Sequence, residues 1–192
     1  MILSSKEIRE EMHRGKIVIQ PFAESQLNPN SYNLRLDAQL LTYDTENHYT
    51  RNDREGVDLA YPCRTVAHKI PDRGYWLEPG RLYLGSTQEY TETHGLVPCI
   101  EGRSSIGRAG VAIHVTAGFG DIGFRGRWTL EITVVHPVKI YHGMEICQIC
   151  YFRTGDFDRS YGGKYINQTG PLPSKIWQEV QKLPHVANVK PN

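Results

Sequence analysis

His114-Val115-Thr116-Ala117-Gly118-Phe119-Gly120-Asp121-Ile122-Gly123-Phe124-Arg125-Gly126-Arg127-Trp128-Thr129-Leu130-Glu131 passes from a glycine-rich turn into a hydrophobic strand. Its end, Trp128-Thr129-Leu130, belongs with Ile17-Val18-Ile19, Leu34-Arg35-Leu36 and Leu82-Tyr83-Leu84 as short runs set apart by Gly, Pro and Asn. Branched and aromatic residues fit a pleated, half-buried surface, and the breakers between them make turns. A parallel sheet would need helical stretches of about ten residues or more between its strands, and none is evident. The pattern predicts a mostly β chain built as a sandwich, jelly roll or barrel.

Outside this body the signals are local. Ser4 with Glu7 forms a capping box, Leu3 with Ile8 a hydrophobic staple, and Gly15 a stop, so a short helix is expected to start at residue 5. Residues 44–56 have no apolar period and read as an exposed excursion between strands. Pro173-Ser174 opens a last helical turn through Trp177 and Val180, and Gln181 to Asn192 reads as a loose tail. One domain over residues 1–180 is expected.

The 192 residues carry 22 Lys plus Arg against 21 Asp plus Glu, so no overall basic field exists to hold long nucleic acids. No apolar run approaches the roughly 18 residues needed to span a bilayer, and a cytoplasmic protein without a membrane partner is expected. Four cysteines in a chain of this length are too sparse for a disulfide framework and are expected to be reduced. Cys147-Gln148-Ile149-Cys150 has the spacing of half a zinc knuckle, but it sits in a strand-like run that turns the two thiols to opposite faces, with no second pair. His114 could approach the glycine-rich turn; the commoner reading is a satisfied core histidine.

Three segments carry chemistry. Gly102-Arg103-Ser104-Ser105-Ile106-Gly107-Arg108 combines hydroxyls, permanent cations and glycines, the makings of an anion cradle, although a polar turn entering a short helix reads equally well. Glu131 stands between Leu130 and Ile132, where a carboxylate is either on a solvated face or in a cavity that needs it. A partly desolvated glutamate suits proton transfer near neutral pH. Tyr161-Gly162-Gly163-Lys164-Tyr165-Ile166-Asn167-Gln168-Thr169-Gly170 reads as a flap, at about 155–170, or as an ordinary surface loop.

Taken together these segments resemble the dCTP deaminase family of the trimeric dUTPase superfamily. Gly102-Arg103-Ser104-Ser105-Ile106-Gly107-Arg108 is similar to its G-R-S-S-hydrophobic-x-R. Thr116-Ala117-Gly118 with Asp121-x-Gly123-Phe124-x-Gly126 resembles its T-A-G-x-x-D-x-G-[FW]-x-G, and Thr129-Leu130-Glu131 its T-L-E. Ser31-Tyr32-Asn33-Leu34-Arg35-Leu36 and Gly163-Lys164-Tyr165-x-x-Gln168-x-Gly170 follow in order.

The resemblance implies a distorted jelly roll, a homotrimer with sites at subunit interfaces, and Mg²⁺ carried on the nucleotide triphosphate, with no zinc. It implies hydrolytic, metal-free deamination of dCTP to dUTP and ammonia, with Glu131 as general base and acid and with Ser104 and Arg108 fixing the water and the charge of Glu131. Backbone groups of Val115, Thr116 and Ala117 would orient the water, and Thr129 would lie beside the base. Arg103, Ser105, Lys164 and Gln168 would hold the triphosphate, Tyr161 would belong to the flap, and Asp121 would meet the 3′-hydroxyl. The nucleotide ligands implied are dCTP and dUTP, with dTTP as the inhibitor to test.

An aspartate in the Asp121 motif also directs water at the α-phosphorus in the dUTPase branch, so the alternatives are a bifunctional dCTP deaminase/dUTP diphosphatase or a dUTPase. A non-catalytic nucleotide sensor is the alternative of another class. Departures are Asn33 where aspartate is common, Gly120 and Ile122 beside Asp121, and Thr133-Val134-Val135. The first is expected to act on packing or subunit contacts, the others beside the sugar and water sites.

Overall fold

The computed structural model describes residues 1–45 and 56–186. Of the excursion expected at 44–56 and the tail expected at 181–192, residues 46–55 and 187–192 lie outside the described residues.

The first helix, Ser5–His13, begins where expected: Glu7 N–H donates to Ser4 Oγ at 3.4 Å, and Ser4 N–H returns to Glu7 Oε2 at 2.9 Å. Leu3 and Ile8 are both fully buried at its entrance. At its exit Gly15 takes φ +70°, and the N–H groups of Gly15 and Lys16 close on the carbonyls of Met12 and Glu11. That pairing satisfies carbonyls the helix leaves open, and it needs a residue without a Cβ.

Beyond the helix the chain is mostly β, as the short runs predict, and all its strand pairs among the described residues are antiparallel. One sheet orders Leu27–Asn28, Ser31–Arg35, Glu145–Arg153 and Leu96–Gly102. A second orders Val111–Ala112, Thr129–Val134, Tyr83–Ser86, Gln39–Tyr43 and Thr65–Lys69. Ile17–Gln20, Tyr90–Thr93 and Arg125–Gly126 form a third, and Tyr75–Leu77 with Val138–Ile140 a separate antiparallel pair. These small, separate sheets fit a distorted jelly roll.

The strand Thr129–Val134 shows how sequence sets the layers. Leu130, Ile132 and Val134 are buried, while Thr129, Glu131 and Thr133 are half-buried on the opposite face, the period of two that a strand imposes. Its neighbour contributes Gly85, where a Cβ would come within 3.0 Å of Ile132 and 3.1 Å of Leu36, so the core is packed onto bare backbone there. The strand Glu145–Arg153 buries both Cys147 and Cys150, and all four cysteines are free thiols. Among the described residues no helix is long and apolar enough to cross a membrane.

Candidate active site

A cavity of about 340 Å³ opens on the exposed face of Thr129–Val134, within the roughly 300 to 1,000 Å³ of small-molecule sites. Ala117, Asp121, Thr129, Glu131, Tyr161 and Gln168, all expected at the site, line it. Glu131 therefore sits in a cavity and not on an open solvated face. Its main-chain N–H bonds to Ile113 O at 3.0 Å, and its Oε2 accepts N–H groups from Val115 at 2.8 Å and Thr116 at 3.4 Å. The segment expected to orient a water thus first orients the carboxylate.

The glycines of this turn are required by close approach. A Cβ on Gly118 would lie 2.6 Å from Ile100 O and 3.0 Å from His114 Nε2; one on Gly120 would lie 2.4 Å from the Trp128 ring. The turn is pressed onto strand Leu96–Gly102, with Ile100 N–H donating to Gly118 O at 2.6 Å and Gly120 N–H to Pro98 O at 2.9 Å. Of the departures noted in sequence, Gly120 is thereby explained. His114 differs from the core histidine expected: it is half-buried and its Nδ1 has no hydrogen-bond partner among the described residues.

Aromatic side chains form the apolar wall. Phe124 packs on Trp128 with ring centroids 4.3 Å apart and on Tyr161 at 5.9 Å, and Trp128 is fixed by Nε1–H donation to Thr91 Oγ1 at 2.9 Å. Tyr43 and Tyr165 also line the cavity. Burial raises the Tyr43 phenol above its usual value, with the nearby Glu131 charge adding to the same direction. An adjoining hollow shares Phe119, Gly120, Asp121 and Tyr161 and adds Arg159 and Ser160.

The segment expected as a flap lies along the Asp121 turn. Tyr161 N–H donates to Ile122 O at 2.6 Å, Asn167 N–H to Arg125 O at 2.8 Å, and Arg127 N–H to Gln168 O at 2.8 Å. Gln168 is only 8% exposed; its Nε2 donates to Arg127 O at 2.6 Å and its Oε1 accepts from Thr129 Oγ at 3.4 Å. Lys164 is paired with Glu179 and its ammonium lies over the Tyr165 ring.

Seven expected residues do not line the cavity of their own chain: Val115 and Thr116 reach it only through their bonds to Glu131, Lys164 is turned to Glu179, and the four at 103–108 lie apart. Ser104, Ser105 and Arg108 are exposed on the short helix Ser104–Arg108, and Arg103 at its start pairs with Glu145. Gly110, just past that helix, bonds to Val135 N–H, four residues beyond Glu131 and so about 13 Å along the strand at about 3.3 Å per residue.

The sequence reading did not assign Tyr43, Leu84, Phe124, Trp128 or Leu172 to the site, though all line the cavity. Phe124 and Trp128 stood inside the motif and read as motif and strand; Tyr43 and Leu172 carried no local signal, because only strand pairing and the C-terminal wrap bring them there.

The sequence matches a family described as dCTP deaminase-like over residues 2–154. It is 52% identical over 180 residues to the dCTP deaminase, dUMP-forming, of Clostridium acetobutylicum, covering 93% of this chain and 98% of that one. The proteins of the same name from Hathewaya histolytica and Cytophaga hutchinsonii are 50% and 49% identical, covering 94% and 95% of this chain and all of theirs, 100%. Among solved structures, 2′-deoxycytidine 5′-triphosphate deaminase from Agrobacterium tumefaciens superposes with TM-score 0.59 at 19% identity over 78% of this chain, which spans 47% of that longer one. The relatives' names give dUMP, where dUTP was the product expected first and dUMP the alternative.

Proposed function

This chain belongs to the dCTP deaminase-like family, and from that premise we propose that it hydrolyses dCTP to dUMP, diphosphate and ammonia. The observation that carries the reading is the Glu131 carboxylate, set in an aromatic-walled cavity by the N–H groups of Val115 and Thr116. A carboxylate with one oxygen held by two N–H groups is already aimed before a ligand arrives and keeps its other oxygen for the water, which is what general-base chemistry needs.

In the first half-reaction Glu131 takes a proton from water as its oxygen bonds to C4 of cytosine, then delivers it toward N3 and the amino group. The C4–N4 bond breaks, ammonia leaves, and a uracil carbonyl remains. In the second, Asp121 directs another water at the α-phosphorus, and the α–β phosphoanhydride breaks to give dUMP and diphosphate. The dUMP-forming names of relatives at about half identity over nearly their whole length support this two-step outcome.

Lys164 and Gln168 would bind the triphosphate from this chain, and Arg103 and Ser105, which lie apart from its cavity, from a neighbouring subunit. Mg²⁺ favours oxygen ligands, and the ion would ride on the phosphate oxygens and neutralise them. Ser104 and Arg108 would reach Glu131 from a neighbouring subunit of a homotrimer. Val115, Phe119 and Val135, exposed at 60%, 70% and 76%, give the apolar surface such an assembly would cover.

The test follows products from dCTP with Mg²⁺. Equal amounts of ammonia, dUMP and diphosphate are expected, and Glu131→Gln should lose ammonia release while retaining nucleotide binding. Accumulated dUTP would reduce the reading to a single-step deaminase, and a fully active glutamine variant would remove Glu131 from the mechanism.

A further inference from the structure

Arg103 is held by a polar lattice that runs away from the cavity, and we propose that Glu145 and Asn33 are positioning residues that fix its guanidinium for phosphate recognition. The inference rests on the reading of Arg103 as a triphosphate ligand. Arg103 Nη1 donates to Glu145 O at 2.7 Å and Nη2 meets Glu145 Oε2 at 3.0 Å. The same Oε2 accepts from Asn33 Nδ2 at 2.8 Å, and Asn33 Oδ1 accepts from Asn28 Nδ2 at 2.8 Å.

The preceding residue is held in the same way: Gln148 Nε2 donates to Gly102 O at 2.9 Å, and Gln148 Oε1 accepts from Ser31 Oγ at 2.6 Å. Two side chains of strand Glu145–Arg153 therefore grip Gly102 and Arg103, each braced by a residue of strand Ser31–Arg35.

A guanidinium has five N–H donors in one plane. Spending two of them on a single residue's carbonyl and carboxylate fixes that plane and leaves the others for an incoming anion. An unrestrained arginine would lose rotamer freedom on binding; this one has lost it beforehand.

The lattice also explains Asn33, whose side chain was expected to act on packing or subunit contacts. It is 6% exposed and both of its amide atoms are engaged within the chain. An aspartate there would set a second carboxylate against Glu145 and draw Arg103 toward itself. Asparagine at 33 and glutamate at 145 are a matched pair.

The test measures KM and kcat for dCTP and thermal stability without nucleotide. Glu145→Ala is expected to raise KM about tenfold with kcat within about twofold, the scale of one lost hydrogen bond to a charged group. Glu145→Gln keeps an acceptor for Nη2 and should recover most of the loss. In the double variant, Arg103→Ala with Glu145→Ala should bind no worse than Arg103→Ala alone.

Should the alanine variant fail to fold, Asn33→Asp carries the test: KM should rise, because Glu145 Oε2, the one oxygen that meets both Arg103 and residue 33, would face a second carboxylate, and an unchanged KM there would overturn the positioning role. Additive losses, or an unchanged KM in Glu145→Ala while Arg103→Ala raises it, would overturn the positioning role alone. An unchanged KM in Arg103→Ala would overturn the phosphate reading of Arg103 and the inference together.

Discussion

Arg35 meets Glu89 twice: its main-chain N–H donates to Oε2 at 2.8 Å and its Nε to Oε1 at 2.7 Å, against a carboxylate with 0% exposure. Gln26 Nε2 adds a third donor at 3.1 Å. Removing one member of a buried, hydrogen-bonded pair strands the rest. Glu89→Ala is expected to destabilise the fold by about 3 kcal/mol, and Glu89→Gln, which keeps one acceptor, by less. Urea unfolding of both variants measures the difference.

Gly118→Ala should disable the site through the backbone, with the His114 ring, 3.0 Å from the new methyl, crowded as well. The new methyl would meet a main-chain carbonyl, Ile100 O, at 2.6 Å, a neighbour that cannot swing aside. Either the turn lifts from strand Leu96–Gly102 or the strand shifts, and both move the N–H groups that hold Glu131. A loss of about 1 to 3 kcal/mol in stability is expected, together with a fall in turnover about tenfold or more. Thermal melts and ammonia release report the two effects separately.

Tyr90 donates its hydroxyl to Glu92 Oε1 at 2.5 Å, and His94 Nε2 lies 3.1 Å from the other carboxylate oxygen. Desolvation, then the bond to Glu92, pushes the phenol up to about 12 from its ordinary 10.0. A raised folded-state value means that the associated stability is whole below pH 10 and drains away as pH climbs toward 12. Burial also raises Tyr32, Tyr43, Tyr75 and Tyr151, so phenolate absorbance should show one fewer late-titrating tyrosine in Tyr90→Phe than in the parent, and alkaline destabilisation should be shallower in that variant.

The chain beyond the flap is stitched down by side-chain hydroxyls. Leu172 N–H donates to Thr129 Oγ1 at 3.2 Å, Ser174 N–H to the Tyr43 hydroxyl at 3.1 Å, and Lys175 N–H to the Tyr165 hydroxyl at 2.9 Å. Tyr43→Phe keeps the ring and removes one acceptor. Amide exchange at Ser174 should quicken about tenfold, the scale of one net hydrogen bond, while exchange in the Glu145–Arg153 strand stays unchanged. Equal acceleration in both places would mean global destabilisation instead of a local release.

What could be read from sequence was whatever depends on neighbours along the chain. The capping box at Ser4 and Glu7, the alternation through Leu130 and Ile132, the buried run around Cys147 and the last turn at Trp177 all appear as expected, because each is fixed by spacing. The motifs also marked Asp121, Thr129, Glu131 and Gln168 as belonging to one place. Tyr43 could not be read, since it arrives through Leu41 and Thr42 pairing with Leu84 and Tyr83, far away in the chain. Nor could the partners of Arg103 and Lys164, because a lone cation in a motif does not announce which carboxylate, Glu145 or Glu179, folds against it.

The two-faced strand Thr129–Val134 ties the Glu131 carboxylate to the greasy interior like teeth on a single ratchet. A slip by one position would swing Leu130 and Ile132 into the cavity and drive the Glu131 carboxylate into hydrocarbon. Insertions or deletions inside this hexapeptide should therefore be tolerated only in even steps, a rule that a small library of length variants would expose at once.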